Sequence, residues 1–456
     1  MNEIINSGFI TGTRSIVFAG LAMVYLLNTV LHNSYLNYIL SGISVLCLLV
    51  CLPFAKGNAR ILTLILLIAG ALVLIDSGAD YGLWINALSQ NANLITLLIL
   101  VPVFGLPIQY GGYYEVLDAL VNKYMSSKHR IYWVPALLCH FFGALMNMGA
   151  IPVVYQIIIH GKLPKEFRKV PAAILRGFSA SIFWSPNMIS VALVTHYLRV
   201  SWAEFARVGI IFTILTLTVG WLVYLMLDKS APDCNEPSIN QQPSGRKIAE
   251  LLFFCLAFLG SIVFIATKTS LTVLHAVPVL ALVFPVLWLC SLRRAKSILP
   301  AYLDYLENTL PRFTSEVAIF IGAGFLTAAM LSSDYSDKVA LLFRDYLGVN
   351  LYFLCFFIVS SIVMLSIVGI APMITAMAYS ASLKPALMGI SPHLLSLVII
   401  GGWSAGVIVS PFSGVTLIMS GLTRQSSFEV ARSNWLFSLI MILLLTAVPL
   451  LQIINI

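Results

Sequence analysis

Phe178-Ser179-Ala180-Ser181-Ile182-Phe183-Trp184-Ser185-Pro186 and Trp403-Ser404-Ala405-Gly406-Val407-Ile408-Val409-Ser410-Pro411 decide the fold, because each sets a Ser-Pro pair inside an apolar run, 225 residues apart (410 − 185). Glu204-Phe205-Ala206-Arg207 recurs at the same spacing (432 − 207) as Glu429-Val430-Ala431-Arg432. Upstream, Gly149-Ala150-Ile151-Pro152 recurs as Gly369-Ile370-Ala371-Pro372 at a spacing of 220 (369 − 149). Glu115 with Tyr124 recurs as Asp337 with Tyr346 at 222 (337 − 115). Four correspondences in one order, drifting by loop-sized amounts, mark an internal repeat rather than a shared apolar composition. In a membrane chain such a repeat points to a transporter.

Composition places the chain in a bilayer. Of its 456 residues 60% are hydrophobic and only 10% charged, with a mean hydropathy of +0.96, whereas a soluble domain carries about 25% charged residues. The net charge of +8 would suggest nucleic acid in a soluble protein; here topology explains it, and no nucleic-acid partner is expected. The seven cysteines have no metal-ligand spacing and read as small apolar-segment residues. The polar stretch from Met1 to Arg14 precedes an apolar run long enough to remain as a span, so no cleavable signal is expected.

Apolar runs fall at about 15–33, 36–55, 59–77, 92–109, 131–160, 170–198, 206–227, 247–268, 273–292, 314–332, 350–382, 392–421 and 431–455. If every run crossed, the basic clusters Lys123-Lys128-Arg130 and Lys162-Lys165-Arg168-Lys169 would lie on opposite faces. Letting 131–160 and 350–382 be re-entrant hairpins that turn at the Gly-x-x-Pro points puts both clusters on one face, together with most other Lys and Arg. That face is then the cytoplasm, by the excess of cytoplasmic Lys and Arg in short loops. The same choice makes the two repeats inverted. The expected fold is therefore an all-α polytopic membrane protein of about 11 transmembrane helices plus two re-entrant hairpins. Its expected parts are N-terminal scaffold helices at 1–91, repeat 1 at 92–227 with hairpin 131–160 and broken helix 170–198, and a Pro-containing cytoplasmic linker at 228–246. Further scaffold helices follow at 247–313, then repeat 2 at 314–456 with hairpin 350–382 and broken helix 392–421. The N-terminus is expected in the cytoplasm and the C-terminus outside.

Chemistry is expected where helices break, because non-helical backbone at bilayer depth is tolerated only where protein or a water-filled cavity satisfies it. The candidate binding residues are Asn147, Gly149 and Pro152 at one hairpin tip and Ser366, Gly369 and Pro372 at the other. In the broken helices they are Ser185, Pro186 and Asn187, and Ser410, Pro411, Ser413 and Thr416. Glycine supplies close approach or positive φ, proline suits the first turn of an outgoing helix, and Ser-Pro removes a backbone donor while offering a replacement hydroxyl. Half-helix N-termini would face an anion, and freed carbonyls a cation. A single Ser-Pro is more often a simple kink; two at matching repeat positions, each behind a Gly-x-x-Pro, favour a site. Ser179, Ser181 and Ser404 read equally well as small residues that let helices approach. His140 and Arg176 are candidates for proton or anion handling. His160, Arg312 and Glu316 read as interfacial, and the Glu204/Arg207 and Glu429/Arg432 pairs as local ion pairs at helix starts. Glu115 to Met125 and Asp337 to Tyr346 read as interfacial amphipathic helices.

No phosphate-binding loop, zinc-protease helix, nucleophile elbow or carboxylate cluster occurs, so no enzyme site is expected. In order of parts, residues 92–227 and 314–455 resemble the ion transporter superfamily, which includes the divalent anion/sodium symporters and arsenite-type permeases. The resemblance implies that hairpin tips and broken helices form the substrate and coupling-ion sites, and that a transport domain moves as an elevator against a dimeric scaffold. In place of the symporters' paired Ser-Asn-Thr signature stand Ser185-Pro186-Asn187 and Ser410-Pro411-Phe412-Ser413-Gly414-Val415-Thr416, which leaves dicarboxylate specificity and sodium coupling open. The expected activity is ion- or proton-coupled transport of a small anionic solute in a bacterial inner membrane, by a homodimer, with Na+ or H+ as coupling ion and no other cofactor. A passive channel, and a membrane protein of cell-envelope or lipid metabolism, are the alternatives.

Overall fold

The computed structural model describes residues 2–55, 59–124, 127–160, 170–227, 244–269, 273–335, 338, 341, 345 and 350–450. Every regular element among the described residues is helical, and eleven helices or helix runs are long and apolar enough to cross a membrane. The chain is an all-α polytopic membrane protein. In chain order its helices are α1 (Asn2–Leu31), α2 (Ser34–Cys51), α3 (Ala59–Asp76), α4 (Tyr81–Leu88), α5 (Ala92–Leu100), α6 (Leu106–Tyr110), α7 (Tyr114–Tyr124), α8 (Lys128–Met146), α9 (Ala150–His160), α10 (Val170–Ser181), α11 (Ile189–Tyr197) and α12 (Trp202–Leu227). They continue with α13 (Gly245–Lys268), α14 (Val273–Ser291), α15 (Ile298–Asp304), α16 (Thr314–Leu331), α17 (Leu351–Val368), α18 (Pro372–Ser382), α19 (Pro385–Met388), α20 (Pro392–Val409), α21 (Gly414–Thr423), α22 (Ser427–Arg432) and α23 (Trp435–Thr446). Most of the linker expected at 228–246, the basic loop at 162–169 and most of the second amphipathic segment lie outside the described residues.

Two compact units divide the chain. The first comprises Met1–Leu106, Phe264–Leu342 and Ala381–Lys384. Within it α3 and α16 pack closely because both carry glycine at the contact. A Cβ at Gly70 would lie 2.7 Å from the Phe325 ring, and one at Gly322 only 3.1 Å from the Thr63 carbonyl. Small residues of this kind let membrane helices approach until their backbones touch. The buried Asn91 amide donates to the Phe320 carbonyl at 3.0 Å, and the Tyr305 hydroxyl donates to the Ile99 carbonyl. Ile16, Leu31, Ile61, Ile68 and Leu72 are exposed, as expected of helices whose outer faces meet lipid. Glu316 departs from the interfacial reading: one carboxylate oxygen is buried with no hydrogen-bond partner. It follows directly on the turn at Arg312 and Phe313 that opens α16, which tucks it inward while Arg312 remains exposed.

The second unit comprises Pro107–Val263, Phe343–Ser380 and Pro385–Ile456. Here α8 and α9 are joined by a short 3-10 turn at Asn147–Gly149, and α17 and α18 by a turn at Gly369. The second pair folds back on itself, since Ser361 on α17 shares a 2.6 Å hydrogen bond with Tyr379 on α18. Each pair packs against a helix that ends in a Ser-Pro break: α8 against α10, and α17 against α20. The closeness again depends on glycine. A Cβ at Gly177 on α10 would stand 2.1 Å from the Ala136 carbonyl oxygen on α8. Because that obstacle is backbone, Gly177→Ala is expected to destabilise the fold by about 3 kcal/mol, the upper end of ordinary overpacking penalties. A thermal midpoint for purified Gly177→Ala equal to that of the wild type would show that α8 and α10 can separate freely.

Candidate functional site

Helix α10 stops at Ser181 and α11 begins at Ile189, so seven residues around Pro186 have no regular helix. The proline removes a backbone donor, and the side chains on either side replace the missing bonds. The buried Ser185 hydroxyl donates to the Ala144 carbonyl on α8 at 2.6 Å and accepts from the Asn187 backbone N–H at 3.2 Å. The Asn187 side-chain amide donates to the same Ala144 carbonyl at 3.0 Å.

The second break repeats this pattern. The Ser410 hydroxyl donates to the Ser366 carbonyl on α17 and accepts from the Phe412 N–H at 3.3 Å. Ser366 stands three residues before Gly369, which is left-handed at φ 106°. Ala144 stands three residues before Asn147, at φ 55°. The first hairpin therefore takes its left-handed residue at Asn147 and not at Gly149, which lies in the turn with an ordinary φ. Asn147 tolerates this region because its short side chain bonds locally, here by accepting the Met148 N–H at 2.8 Å. Pro152 falls in the first turn of α9, and Pro372 opens α18. A Cβ at Gly406 would lie 3.5 Å from the Pro372 ring. Ser413 caps α21, accepting the Thr416 N–H at 3.3 Å and sharing a 2.8 Å bond with the Thr416 hydroxyl. Pro411 is buried beside Ser410.

The two halves meet at equivalent residues. The Ser179 and Ser404 hydroxyls lie 2.6 Å apart, and the Ser404 hydroxyl also lies 2.9 Å from the Ser179 carbonyl; the two positions are 225 apart. Thr213 donates to the Ala180 carbonyl at 3.1 Å, and Ser438 to the Ala405 carbonyl at 2.9 Å. These pairs too are related by 225 on both sides. Ser179 and Ser404 thus act as hydrogen-bonding partners, beyond the small volume the sequence reading credits them with. The tip of the first hairpin also reaches the second break: a Cβ at Gly414 would lie 3.1 Å from the Met148 sulfur.

One position breaks the correspondence. Asn187 is fully buried, and its Oδ1 has no hydrogen-bond partner. At the equivalent position of the second half stands Phe412, 53% exposed. A buried acceptor without a donor costs about 1–3 kcal/mol, so a helix break that keeps one is suited to a bound group that supplies positive charge or a donor.

Arg176, read from sequence as an anion handler, is engaged elsewhere. Its Nε donates to Asn434 Oδ1 at 3.0 Å, Nη1 to the Gly220 carbonyl at 2.9 Å and Nη2 to the Ser433 carbonyl at 2.9 Å. The Phe437 ring lies 5.5 Å away. The side chain ties α10 to α12 and to the turn before α23. His140 accepts from Trp184 Nε1 at 3.3 Å through Nε2, and its Nδ1 is buried without a hydrogen-bond partner. The Glu-x-Ala-Arg pairs also find other partners. Glu429 forms a capping box with Ser426 at the start of α22, because a helix start offers unpaired N–H groups closer than a side chain three residues on, and Glu204 faces His393 at 3.3 Å.

No protein-family model and no curated protein sequence matches the chain. Among solved structures, the fold is similar to that of the YdaH transporter of Alcanivorax borkumensis, with a TM-score of 0.55, 15% identity, and coverage of 78% of this chain and 85% of that chain. At that identity the likeness is one of fold. Fold and composition define the class: a polytopic helical membrane protein with two helix–turn–helix pairs, each packed on a broken helix.

Proposed function

We propose that the chain is a secondary transporter of a small anionic solute, driven by Na+ or H+, with its binding site at the two helix breaks and the adjoining hairpin turns. The observation that carries this reading is the orphaned, fully buried Asn187 Oδ1 beside the Ser185-Pro186 break. A carboxamide oxygen next to backbone freed from helix is a hard oxygen ligand of the kind Na+ takes. The short helices α9, α11, α18 and α21 start at the turns and breaks, so their positive ends can favour the solute's negative charge. Similarity in fold to a protein described as a transporter supports the class.

In this reading the two halves are inverted repeats, so either can adopt the other's conformation and two states of similar energy follow. The hairpins and broken helices, 131–198 and 350–421, move together as an elevator against scaffold helices at 15–77 and 247–292, which hold a homodimer. The setting is a bacterial inner membrane, with the N-terminus cytoplasmic and the C-terminus outside. The test is uptake of labelled small anions into proteoliposomes with and without an imposed Na+ or H+ gradient. Accumulation above equilibrium under one gradient is expected. Equilibration at a rate indifferent to both gradients would make the protein a passive channel.

A further inference from the structure

Helix α7, α8 from Val134 to Phe142 and the start of α13 enclose a cavity of about 310 Å³. Leu117 and Leu120 on α7, Val134, Leu137 and Phe141 on α8, and Leu251 on α13 line it. The cavity is held in shape from outside. Tyr113 donates through its hydroxyl to Glu250 Oε1 at 2.7 Å, and the Lys247 ammonium donates to the Gly112 carbonyl at 3.0 Å. Both bonds pin α13 to the turn that opens α7. Its volume sits at the low end of the roughly 300–1,000 Å³ of small-molecule sites. Such sites place a few polar groups to orient a solute, and this lining is apolar throughout.

What surrounds the cavity names the occupant. Each of the three helices carries a cation one turn from its lining residues, with Lys247 against the start of α7 and Lys123 at its end. Lys123 follows Leu120 on α7, Arg130 precedes Val134 on α8, and Lys247, beside Arg246, precedes Leu251 on α13. Residues three or four apart share a helix face. Lys123, Arg130 and Arg246 are exposed. Among the described side chains of these helices the carboxylates are Glu250, which takes the Tyr113 hydroxyl, and Glu115 in the first turn of α7. From the starts of α8 and α13 the lining lies three to fourteen residues along the helix, roughly 5–21 Å at 1.5 Å per residue. Most of it therefore lies within the roughly 15 Å of one leaflet, half of a hydrocarbon core about 30 Å thick. Leu137 and Leu252 are 48% and 45% exposed, so the cavity has a side open to that layer.

We infer that this cavity holds an acyl chain of an anionic phospholipid whose headgroup is gripped by Arg246 and Lys247. Basic pockets between membrane helices recognise such headgroups, with each surface Lys or Arg contributing about a fivefold gain in affinity. The lipid then fills the gap between the lateral helix and the hairpin, on the outer side of the helix whose Ala144 carbonyl supports the first break. The inference requires only that the chain lies in a bilayer and stands apart from any transport activity.

The test uses the delipidated full-length protein in a neutral detergent, titrated with phosphatidylglycerol or with phosphatidylcholine of the same chains, reading the thermal midpoint. Phosphatidylglycerol is expected to raise the midpoint at lower concentration than phosphatidylcholine. In the R246Q/K247Q variant its apparent affinity should drop by roughly thirtyfold, to the level of phosphatidylcholine. Leu251→Trp fills the cavity and should abolish the shift for both lipids. Leu137→Trp, at a half-exposed position that tolerates the larger ring, should do the same with an unchanged lipid-free midpoint. Equal affinities for the two lipids in the wild type would overturn headgroup recognition. A full lipid shift in both tryptophan variants would place the lipid elsewhere, and a change in oligomeric state without any lipid shift would assign the cavity to contact with a second copy.

Discussion

Replacing Asn187 with leucine is expected to weaken the apparent affinity for the coupling ion roughly tenfold to a hundredfold while leaving the fold about as stable as before. The two halves of that expectation come from one geometry. Asn187 Oδ1 is buried without a partner, so an apolar side chain of similar size removes an unsatisfied acceptor and a single bond to Ala144, whose carbonyl keeps Ser185 as donor at 2.6 Å. Swapping a poorly satisfied polar group for an apolar one of the same shape is close to neutral. An oxygen that contacts a charge, by contrast, contributes about 1.5–3 kcal/mol, which is the stated loss of affinity. The measurement is ion-dependent uptake and ion-induced thermal stabilisation of Asn187→Leu beside Phe412→Leu, its counterpart in the other half, which should leave ion dependence unchanged. Wild-type ion dependence in Asn187→Leu would remove this residue from the site and with it the main support for the transport reading.

Arg176→Met should behave in the opposite way, losing stability and sparing affinity. Arg176 is 2% exposed and serves three oxygens, one on α12 and two in the turn before α23. Methionine fills much of the volume but strands those acceptors, Asn434 Oδ1 most severely, because the Gly220 and Ser433 carbonyls belong to backbone that has other bonds within reach. Relief from burying a charge offsets part of the loss. The expected net effect is about 3 kcal/mol of destabilisation, read as a lower thermal midpoint, with solute and ion affinity in the surviving folded protein within about twofold of the wild type. A variant that melts like the wild type yet binds solute weakly would restore Arg176 to the anion-handling role that its position in an apolar run first suggests.

The repeat was legible in the chain because its marks are local. Proline and serine act on the backbone at their own positions, so two Ser-Pro pairs at a spacing of 225 announce two helix breaks before any contact is known. The breaks at 182–188 and 410–413 fall where those residues stand. The candidate site was legible as a set of positions for the same reason. Its connections were not. Ser185 binds a carbonyl 41 residues away and Ser179 a hydroxyl 225 residues away, and no pattern within one helix specifies which carbonyl or hydroxyl will be opposite. The repeat spacing could have paired Ser179 with Ser404, since equivalent residues meet at a pseudo-symmetric contact.

The positive φ at the first hairpin turn went to Asn147 because the turn closes three residues after Ala144, and a Gly two positions later does not choose that register. Arg176 took a partner that sequence proximity does not nominate, a turn 257 residues on, whereas the Glu429 cap follows from Ser426 three residues before it. By itself the sequence determined the membrane setting, the helical class and the places where helices must stop, since hydropathy, proline and glycine act through the solvent and the local backbone. Only the tertiary structure decided that one break keeps an orphaned oxygen at Asn187 while its twin presents Phe412, and that Arg176 is a strut. Burial and hydrogen-bond satisfaction belong to the side chains that surround a residue, and those come from distant parts of the chain.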